Sequence, residues 1–166
     1  MNRLLVVLGL AATCVAAADA RWCLSMNGLG PVRAGMTVEQ VLPLADWPGL
    51  ARPRAAAQCW YLHYDGGPSD FRLMIIDNRV VRIELRAPST LRTLGGARIG
   101  TTEAELSKMY GGRLDVQPHK YEPQGHTITV RAGAGDYGLR FETAQGKVTA
   151  IQSGPSEHLH YVEGCS

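Results

Sequence analysis

The sequence predicts an α+β fold built from two tandem repeats, each a short helix or helix pair packed on a three- to four-stranded antiparallel sheet. Two observations predict this fold. The phrase "GPVRAGMTVEQV" at 30–41 returns 65 positions later as "GGARIGTTEAEL" at 95–106. Each phrase is then followed by three short apolar runs separated by turn-forming residues. A helix start followed by three strands, twice in the same order, indicates two copies of one unit.

The first twenty residues, "MNRLLVVLGLAATCVAAADA", have the pattern of a secretory signal peptide cleaved after Ala20. Their apolar run, 4–15, is shorter than the roughly 20 residues that a membrane-spanning helix needs. We therefore expect an exported protein whose leader is removed rather than one that this segment anchors in the membrane. A lipid anchor at Cys14 is the alternative, but Ala11-Ala12-Thr13 before that cysteine is a poor lipoprotein signal.

Removal of residues 1–20 from the 166-residue chain leaves 146 residues, which suffice for one ordinary domain or two small ones. We divide them into a first repeat (21–88), a second repeat (89–154) and a C-terminal tail (155–166). The 17 basic and 15 acidic residues of the chain give a net charge of only +2. Such a balance, with the basic residues scattered, does not favour nucleic acid or an acidic membrane as the partner.

Three cysteines, Cys23, Cys59 and Cys165, follow the predicted cleavage point. An oxidising compartment favours one disulfide with one thiol left over, and three pairings are possible. We expect Cys59 to pair with Cys165, because Cys59 lies in an apolar strand-like run whereas Cys23 lies near the new N-terminus. This disulfide would tie the tail to the first repeat.

Both copies of the repeated phrase start a helix at a threonine. Thr37 is followed three residues later by Gln40, and Thr102 by Glu105, which is the capping-box spacing. Each predicted helix is ended by a stretch that contains glycine. Because isolated helices shorter than about 12–15 residues are marginal in water, each needs a sheet to pack on.

Six runs read as strands, and the second three follow the first three at an offset of about 68 rather than 65 positions. The added residues fall in the linking loop. The runs are 59–64, 71–77 and 79–86 in the first repeat, and 126–132, 137–143 and 147–153 in the second.

Alternation along these strands assigns their side chains to two faces. Apolar side chains are expected to face the helices: Phe71, Leu73, Ile75, Val81, Ile83, Leu85, Leu139 and Phe141. Charged side chains are expected to line an open face: Arg72, Arg82, Glu84, Arg86, Arg140 and Glu142. This face is either a solvated surface or a rigid charged platform for a protein partner.

Aromatic residues mostly fall at loop edges or strand ends, where binding anchors and rim-packing residues both occur. Trp60 and Tyr61 are neighbours in one strand, so at least one of them must leave the core side. The predicted partner-binding residues combine aromatic and charged side chains: Trp60, Tyr64, Arg72, Arg82, Glu84, Arg140, Glu142 and Tyr121.

No pattern of residues predicts catalysis. No serine lies in a Gly-x-Ser-x-Gly elbow, no CxxC pair exists, and His158 and His160 lack a completing ligand set. We therefore predict no enzymatic activity, no metal site and no cofactor.

The doubled helix-and-sheet pattern resembles the tandem-repeat β-lactamase inhibitor proteins and, for one copy, the outer-membrane assembly lipoproteins of the SmpA/OmlA (BamE) group. The stretches "GPVRAGMT", "RTLGGARIG", "YGGRLDVQPHKY", "LRFET" and "YVEGCS" resemble secreted proteins of Gram-negative bacteria, sometimes labelled lectin-like. Some of these are thought to act as immunity proteins against antibacterial effectors. The inhibitors carry a disulfide within each repeat, whereas this chain has no cysteine from 60 to 164. The resemblance therefore implies a binding platform formed by the two repeats, but not the particular residues that contact the partner.

The resemblance implies a non-catalytic periplasmic binding protein that inhibits a specific envelope-active enzyme, as an immunity protein does. Its partner would be a secreted or periplasmic hydrolase. The first alternative is a carbohydrate or cell-wall binder, in which Trp60 or Tyr64 would stack on sugar rings. The second is an outer-membrane assembly lipoprotein, which requires acylation of Cys14.

Overall fold

The computed structural model describes residues 22–44, 58–64, 70–131 and 136–165. Within them the chain is mixed α+β, with two sheets and three short helices. The strands are β1 Cys23–Ser25, β2 Gly28–Leu29, β3 Val32–Arg33, β4 Cys59–Tyr64, β5 Phe71–Ile76, β6 Arg79–Arg86, β7 Arg92–Thr93, β8 Leu114–Pro118, β9 His126–Arg131, β10 Tyr137–Ala144 and β11 Lys147–Pro155. The helices are α1 Val38–Val41, α2 Glu103–Tyr110 and α3 Ser156–Leu159, and 3-10 turns extend α1 to Leu44 and α2 to Arg113.

The larger sheet has seven antiparallel strands in the order β4-β5-β6-β11-β10-β9-β8. All six predicted strands belong to it, with bounds that differ from the prediction by at most two residues where the chain is described. The prediction of a separate sheet for each half is wrong. Pairing of β6 with β11, with Ile83 opposite Ser153 and Leu85 opposite Ile151, joins the two halves edge to edge.

The smaller sheet has the order β3-β2-β1-β7, and its strands are two or three residues long. Strand β1 pairs parallel with β7, and the other pairs are antiparallel. This sheet was not predicted, since runs of two or three residues are too short for alternation to show. Leu24, Leu29 and Val32 contribute fully buried apolar side chains, and Thr93 contributes a fully buried polar one.

The predicted helix starts are confirmed. Thr37 and Thr102 are the N-cap residues of α1 and α2, and the backbone N–H of each donates to the side chain three residues later, at 2.9 Å to Gln40 Oε1 and 2.8 Å to Glu105 Oε2. The glycine two residues before each threonine has a positive φ, 89° at Gly35 and 86° at Gly100, as the turn into the helix requires.

The two helix starts dock on their hairpins through matching backbone hydrogen bonds. The N–H of Gly35 donates to Val80 O at 2.7 Å, and that of Gly100 donates to Val148 O at 2.8 Å. The ladders also shift register at equivalent places, between Met74 and Ile75 in β5 and between Glu142 and Thr143 in β10.

One apolar core lies between the larger sheet and the layer formed by the smaller sheet, α1 and α2. Seven of the eight side chains predicted to face the helices belong to this core. The exception is Val81, which is buried but lies outside it, while Val80 lies inside. The reason is a β-bulge in β6. Met74 pairs with Arg82 and Ile75 pairs with Val80, so Val81 is an extra residue in β6 and the alternation of faces shifts by one.

The predicted disulfide between Cys59 and Cys165 is present, with Cα atoms 5.3 Å apart. The expected leftover thiol is not found: Cys23 is disulfide-bonded as well, so no described cysteine is free. The predicted signal peptide and the lipid-anchor position Cys14 lie outside the described residues. In the described part, no helix has the length and apolar character needed to cross a bilayer.

Candidate binding surface

Six charged side chains lie together on the face of the larger sheet that points away from α1 and α2. They alternate with core residues along three strands, as strand periodicity requires. The set is Arg72 on β5, Arg82, Glu84 and Arg86 on β6, and Arg140 and Glu142 on β10. We call this group the charged cluster.

Glu84 is the centre of the charged cluster and is fully buried. Its Oε2 accepts from Arg72 Nε at 2.6 Å, and its Oε1 accepts from Arg82 Nε at 2.8 Å and from the Tyr61 hydroxyl at 3.2 Å. Burial alone would raise the pKa of Glu84, but the charges and hydrogen bonds of Arg82 and Arg72 outweigh it and lower the pKa. Both carboxylate oxygens are therefore engaged in holding guanidinium groups.

The charged face is not open at its centre, contrary to the prediction. Residues 156–165, the tail segment, lie across it: Arg82 is 1% exposed, Glu84 0%, Arg140 5% and Glu142 8%. Leu159 anchors the tail segment and is 2% exposed.

Guanidinium groups hold the tail segment in place by hydrogen bonding to its backbone. Arg140 Nη1 donates to Leu159 O at 2.6 Å, and Arg82 Nη1 donates to Tyr161 O at 2.7 Å and His158 O at 3.2 Å. His158 and Leu159 are the last two residues of α3, where helix carbonyls lack partners within the helix, and Tyr161 follows two residues later. Burial lowers the pKa of Arg140, and the nearby charge of Glu142 acts in the opposite direction.

The charged cluster contains four arginines and two glutamates. Backbone carbonyls of the tail segment accept hydrogen bonds from Arg82 and Arg140, and both arginines are buried, so the exposed guanidinium groups of the cluster are those of Arg72 and Arg86. Arg86 lies at the rim of the cluster, with its side chain 45% exposed. Its contacts are long: Nη2 is 3.4 Å from Glu142 Oε2, and Nε is 3.7 Å from Glu84 Oε2.

A pocket of about 250 Å³ opens beside Arg86, where the tail segment does not reach. It is lined by His63, Tyr64, Asp70, Phe71, Arg72, Glu84, Arg86 and Ala87. Asp70 contributes a buried oxygen, Oδ1, that has no hydrogen-bond partner. Such an atom is unusual, because buried polar atoms are normally paired.

A second exposed feature is formed by the tail segment and the loop between β8 and β9. Tyr121 is 60% exposed and Tyr161 is 46% exposed. Lys120 Nζ lies 3.0 Å from Glu163 Oε1 and 4.9 Å from the centroid of the Tyr121 ring. The Tyr121 hydroxyl also donates to Glu163. We call these four residues the tail surface.

The contacts within the tail surface favour the charged forms of both Lys120 and Glu163. Hydrogen bonds from Tyr121 and then Lys120 lower the pKa of Glu163, and hydrogen bonds to Tyr121 and then Glu163 raise the pKa of Lys120. The Tyr161 ring packs edge-on against the His158 ring at 5.4 Å, which orients it.

The predicted site residues separate into three places. Five of them, on β5, β6 and β10, meet in the charged cluster. Trp60 and Tyr64 instead pack against the apolar core, and the Tyr64 ring stacks 4.9 Å from Phe71. Tyr121 lies on the tail surface. Tyr61 leaves the core side for the charged cluster, as the opposition between Trp60 and Tyr61 predicted.

Sequence reasoning missed the parts of the site that the tail segment supplies, namely Tyr161 and Glu163, together with Lys120 and the pocket residue Asp70. A signal existed for the first two, because the ending "YVEGCS" places both within four residues of a cysteine predicted to be bonded.

Within the described ranges, no group of three or more His, Cys, Asp and Glu side chains is arranged to hold a metal ion. His126 Nδ1 instead lies 2.9 Å from Glu103 Oε1, which also accepts from Thr143 Oγ1 at 2.6 Å. Burial would raise the pKa of Glu103, but the hydrogen bonds from Thr143 and His126 lower it. These contacts link the start of α2 to the larger sheet.

Comparison of the chain with protein-family models, with curated protein sequences and with solved structures gave no match. The resemblances drawn from short stretches of sequence therefore stay predictions.

Proposed function

We propose that this chain is an extracytoplasmic, non-catalytic binding protein that inhibits a specific envelope-active enzyme, as an immunity protein against an antibacterial effector does. The tail surface is the observation that carries this proposal. Two exposed tyrosine rings stand beside a paired lysine and glutamate, and tyrosine is among the residues enriched at interface hot spots. The disulfide between Cys59 and Cys165 is compatible with an extracytoplasmic location.

Preorganisation supports binding at the tail surface. Association costs about 0.5–1.5 kcal/mol for each flexible side chain that it immobilises. Here Tyr121 and Lys120 are held by Glu163, and the backbone below them is held by Arg82 and Arg140. A partner would therefore meet a surface that is already ordered, at the centre of an interface of roughly 800 Å² on each side.

We also propose that the fold consists of two tandem copies of one unit. Its support is the matched pair of helix caps, the matched hydrogen bonds of Gly35 and Gly100, and the bulges 68 positions apart. Joined through β6 and β11, the two units make one wide sheet, which gives a short chain a surface large enough for a protein partner.

The carbohydrate-binding alternative has less support. It relied on Trp60 or Tyr64 stacking on sugars, and both rings pack on the apolar side, with Tyr64 against Phe71. The assembly-lipoprotein alternative depends on Cys14, outside the described residues. Palmitate labelling that requires Cys14 would favour it over the inhibitor proposal.

A capture and inhibition experiment tests the proposal. Immobilised protein is mixed with envelope and effector fractions, and a retained hydrolase is assayed with and without added protein. We expect one hydrolase to be retained and inhibited. The double variant Tyr121→Ala/Tyr161→Ala should bind at least about 30-fold more weakly, because truncating even one hot spot costs at least about 2 kcal/mol.

The matched control is Leu94→Ala, which removes an apolar side chain that is 64% exposed and outside the tail surface. It should leave inhibition unchanged. Retention of glycans alone, or a hydrolase retained without loss of activity, would contradict the proposal. Equal weakening by the control and the double variant would place the interface elsewhere.

A further inference from the structure

We infer that the outer edge of β4 is an interaction surface for a second copy of this chain, whose own β4 pairs with it antiparallel. Strand β4 ends the larger sheet: it pairs with β5 on one side, and no strand among the described residues pairs with its other side. This edge is separate from the tail surface, and the inference is independent of the inhibitor proposal.

The register of β4 determines which of its backbone groups point outward. The N–H of Asp77 donates to Gln58 O at 3.3 Å, so these two residues form a hydrogen-bonded pair at the start of the ladder between β4 and β5. Such pairs recur at every second residue of an antiparallel ladder. The N–H and C=O groups that point away from β5 are therefore those of Cys59, Tyr61 and His63. They form an open row of alternating donors and acceptors.

The two edges of the larger sheet differ in their protection against an added strand. Proteins usually protect an exposed edge with proline or charged residues. Strand β8, at the opposite edge, contains both, since Asp115 is charged and Pro118 has no N–H to donate. Strand β4, with the sequence "CWYLHY", contains no proline and no Asp, Glu, Lys or Arg. An unprotected edge of this length is expected where another strand pairs.

A second copy suits this edge because the row of backbone groups is complementary to itself. An antiparallel pairing centred on Tyr61 sets Tyr61 opposite Tyr61 of the second copy and Cys59 opposite His63 of the second copy. These are the residues whose N–H and C=O groups point outward. Every outward donor of one copy then meets an acceptor of the other, and no backbone group in the row is left unpaired.

The side chains of β4 match across the same two-fold axis. Trp60 and Leu62 project toward the core, and the pairing sets Trp60 of one copy opposite Leu62 of the other, in the class of pair that brings side chains closest. Because Trp60 is only partly buried, this contact extends the apolar core across the axis. On the other face, Tyr61 lies opposite its own copy, and no like charges are opposed. The tail segment is bonded to the Cys59 side chain on that face, which leaves the backbone edge open.

The pairing is closed and weak. Each copy has one unprotected edge in the larger sheet, so a two-fold contact uses that edge and assembly stops at the dimer. The contact between two strands of six residues is smaller than the roughly 800 Å² per partner of a standard interface. We therefore expect a transient dimer with a Kd of about 10–100 μM.

Two measurements on the purified chain with its disulfides intact test the inference without any substitution. Sedimentation equilibrium from about 2 to about 500 μM should show monomer converting to dimer and no larger species. Amide exchange resolved by NMR should slow about threefold at Cys59, Tyr61 and His63 between about 20 and 500 μM. The amides of Trp60 and Leu62, which point toward β5, should exchange at rates that do not depend on concentration.

A matched pair of substitutions at His63 separates the backbone from the side chain. His63→Pro removes an N–H that only the dimer uses, and an outward position on an edge strand tolerates proline. His63→Thr makes a similar loss of the imidazole but keeps the N–H. We expect His63→Pro to weaken the dimer at least about tenfold and His63→Thr to stay within about twofold of the unchanged chain. Thermal unfolding checks that both variants fold, and the exchange measurement decides the matter if His63→Pro does not.

Several results would overturn the inference. They are a monomer at every concentration, growth beyond the dimer, a dimer that persists in folded His63→Pro, and exchange at the three outward amides that is independent of concentration. Loss of the dimer in Tyr121→Ala/Tyr161→Ala would move the contact to the tail surface. Protection of the outward amides only after a retained hydrolase is added would assign the edge to that hydrolase instead. Inhibition of a hydrolase is measured separately, so failure of this inference leaves the proposed function standing.

Discussion

Removal of the disulfide between Cys59 and Cys165 separates the two forces that hold the tail segment. The perturbation is the double substitution Cys59→Ser/Cys165→Ser, which leaves Cys23 untouched where a reducing agent would not. The disulfide closes a loop with a sequence separation of 106 residues. The chain-entropy model then gives a loss of about 4.8 kcal/mol in the free energy of unfolding at 25 °C.

That loss arises in the denatured state, where an open chain has more conformations than a closed one. Since domains of this size are stable by only about 5–15 kcal/mol, the effect is large. In the native state of the variant, Leu159 stays buried and the backbone of the tail segment still accepts hydrogen bonds from Arg82 and Arg140. We therefore expect the fold and the position of the tail segment to persist.

Two measurements check this expectation. Urea unfolding monitored by tryptophan fluorescence should give a free energy of unfolding lower by about 3–5 kcal/mol. Hydrogen exchange at pH 7 should show protected amides in α3 of the variant. A loss below about 1 kcal/mol would refute the entropic estimate, and complete exchange of α3 amides in an otherwise protected variant would show that the disulfide, not the guanidinium groups, holds the tail segment.

Three further predictions concern single residues. Glu84→Gln should lower the free energy of unfolding by about 3–5 kcal/mol at pH 7, because it leaves buried guanidinium groups without their counter-charge. Because the native pKa of Glu84 is lowered, its contribution to the free energy of unfolding is present above the unfolded pKa of about 4.3 and is lost as the pH falls toward the native pKa. The free energy of unfolding in urea should therefore drop less between pH 7 and pH 3 in the variant than in the unchanged chain. An equal drop would contradict this assignment. Gly154→Ala should cost about 1–3 kcal/mol, since its Cβ would lie 2.6 Å from Val81 O; Gly112→Ala, with nothing within 4 Å, is the control, and equal melting temperatures for the two variants would refute the packing argument. Thr102→Ala should cost about 1 kcal/mol by removing the helix cap, and an unchanged melting temperature would show that the cap is replaced.

Local patterns were enough to predict the individual elements. Alternation fixed the strands because each is six to nine residues long in the larger sheet, apart from β8. The cap residues Thr37 and Thr102 marked the helix starts because capping is a contact between residues three apart. The pairing of Cys59 with Cys165 could be chosen because Cys59 lies in an apolar strand-like run, whereas Cys23 lies close to the predicted cleavage point.

Contacts between distant parts of the chain could not be predicted in this way. Nothing local in β6 or β11 specifies that they pair and merge two sheets into one. The bulge that moves Val81 out of the core depends on the register between two strands. The tail segment is the largest omission: α3 has four residues, too few for a helical period to show, so no local pattern predicts that this segment covers Arg82 and Arg140.

That cover changes where binding can occur. The tail segment is bonded to β4 through Cys165 and to β10 through Arg140, so it bridges the two halves of the larger sheet on the face opposite the helices. Without the tail segment, the guanidinium groups of Arg82 and Arg140 would be exposed to water. With the tail segment in place, the charged cluster supports its backbone, and the exposed side chains on this face include Tyr121 and Tyr161 of the tail surface and Arg86 at the rim. A partner bound to the tail surface would rest on a segment whose position depends on both halves, so substitutions in either half that disturb the charged cluster should weaken binding without touching the partner.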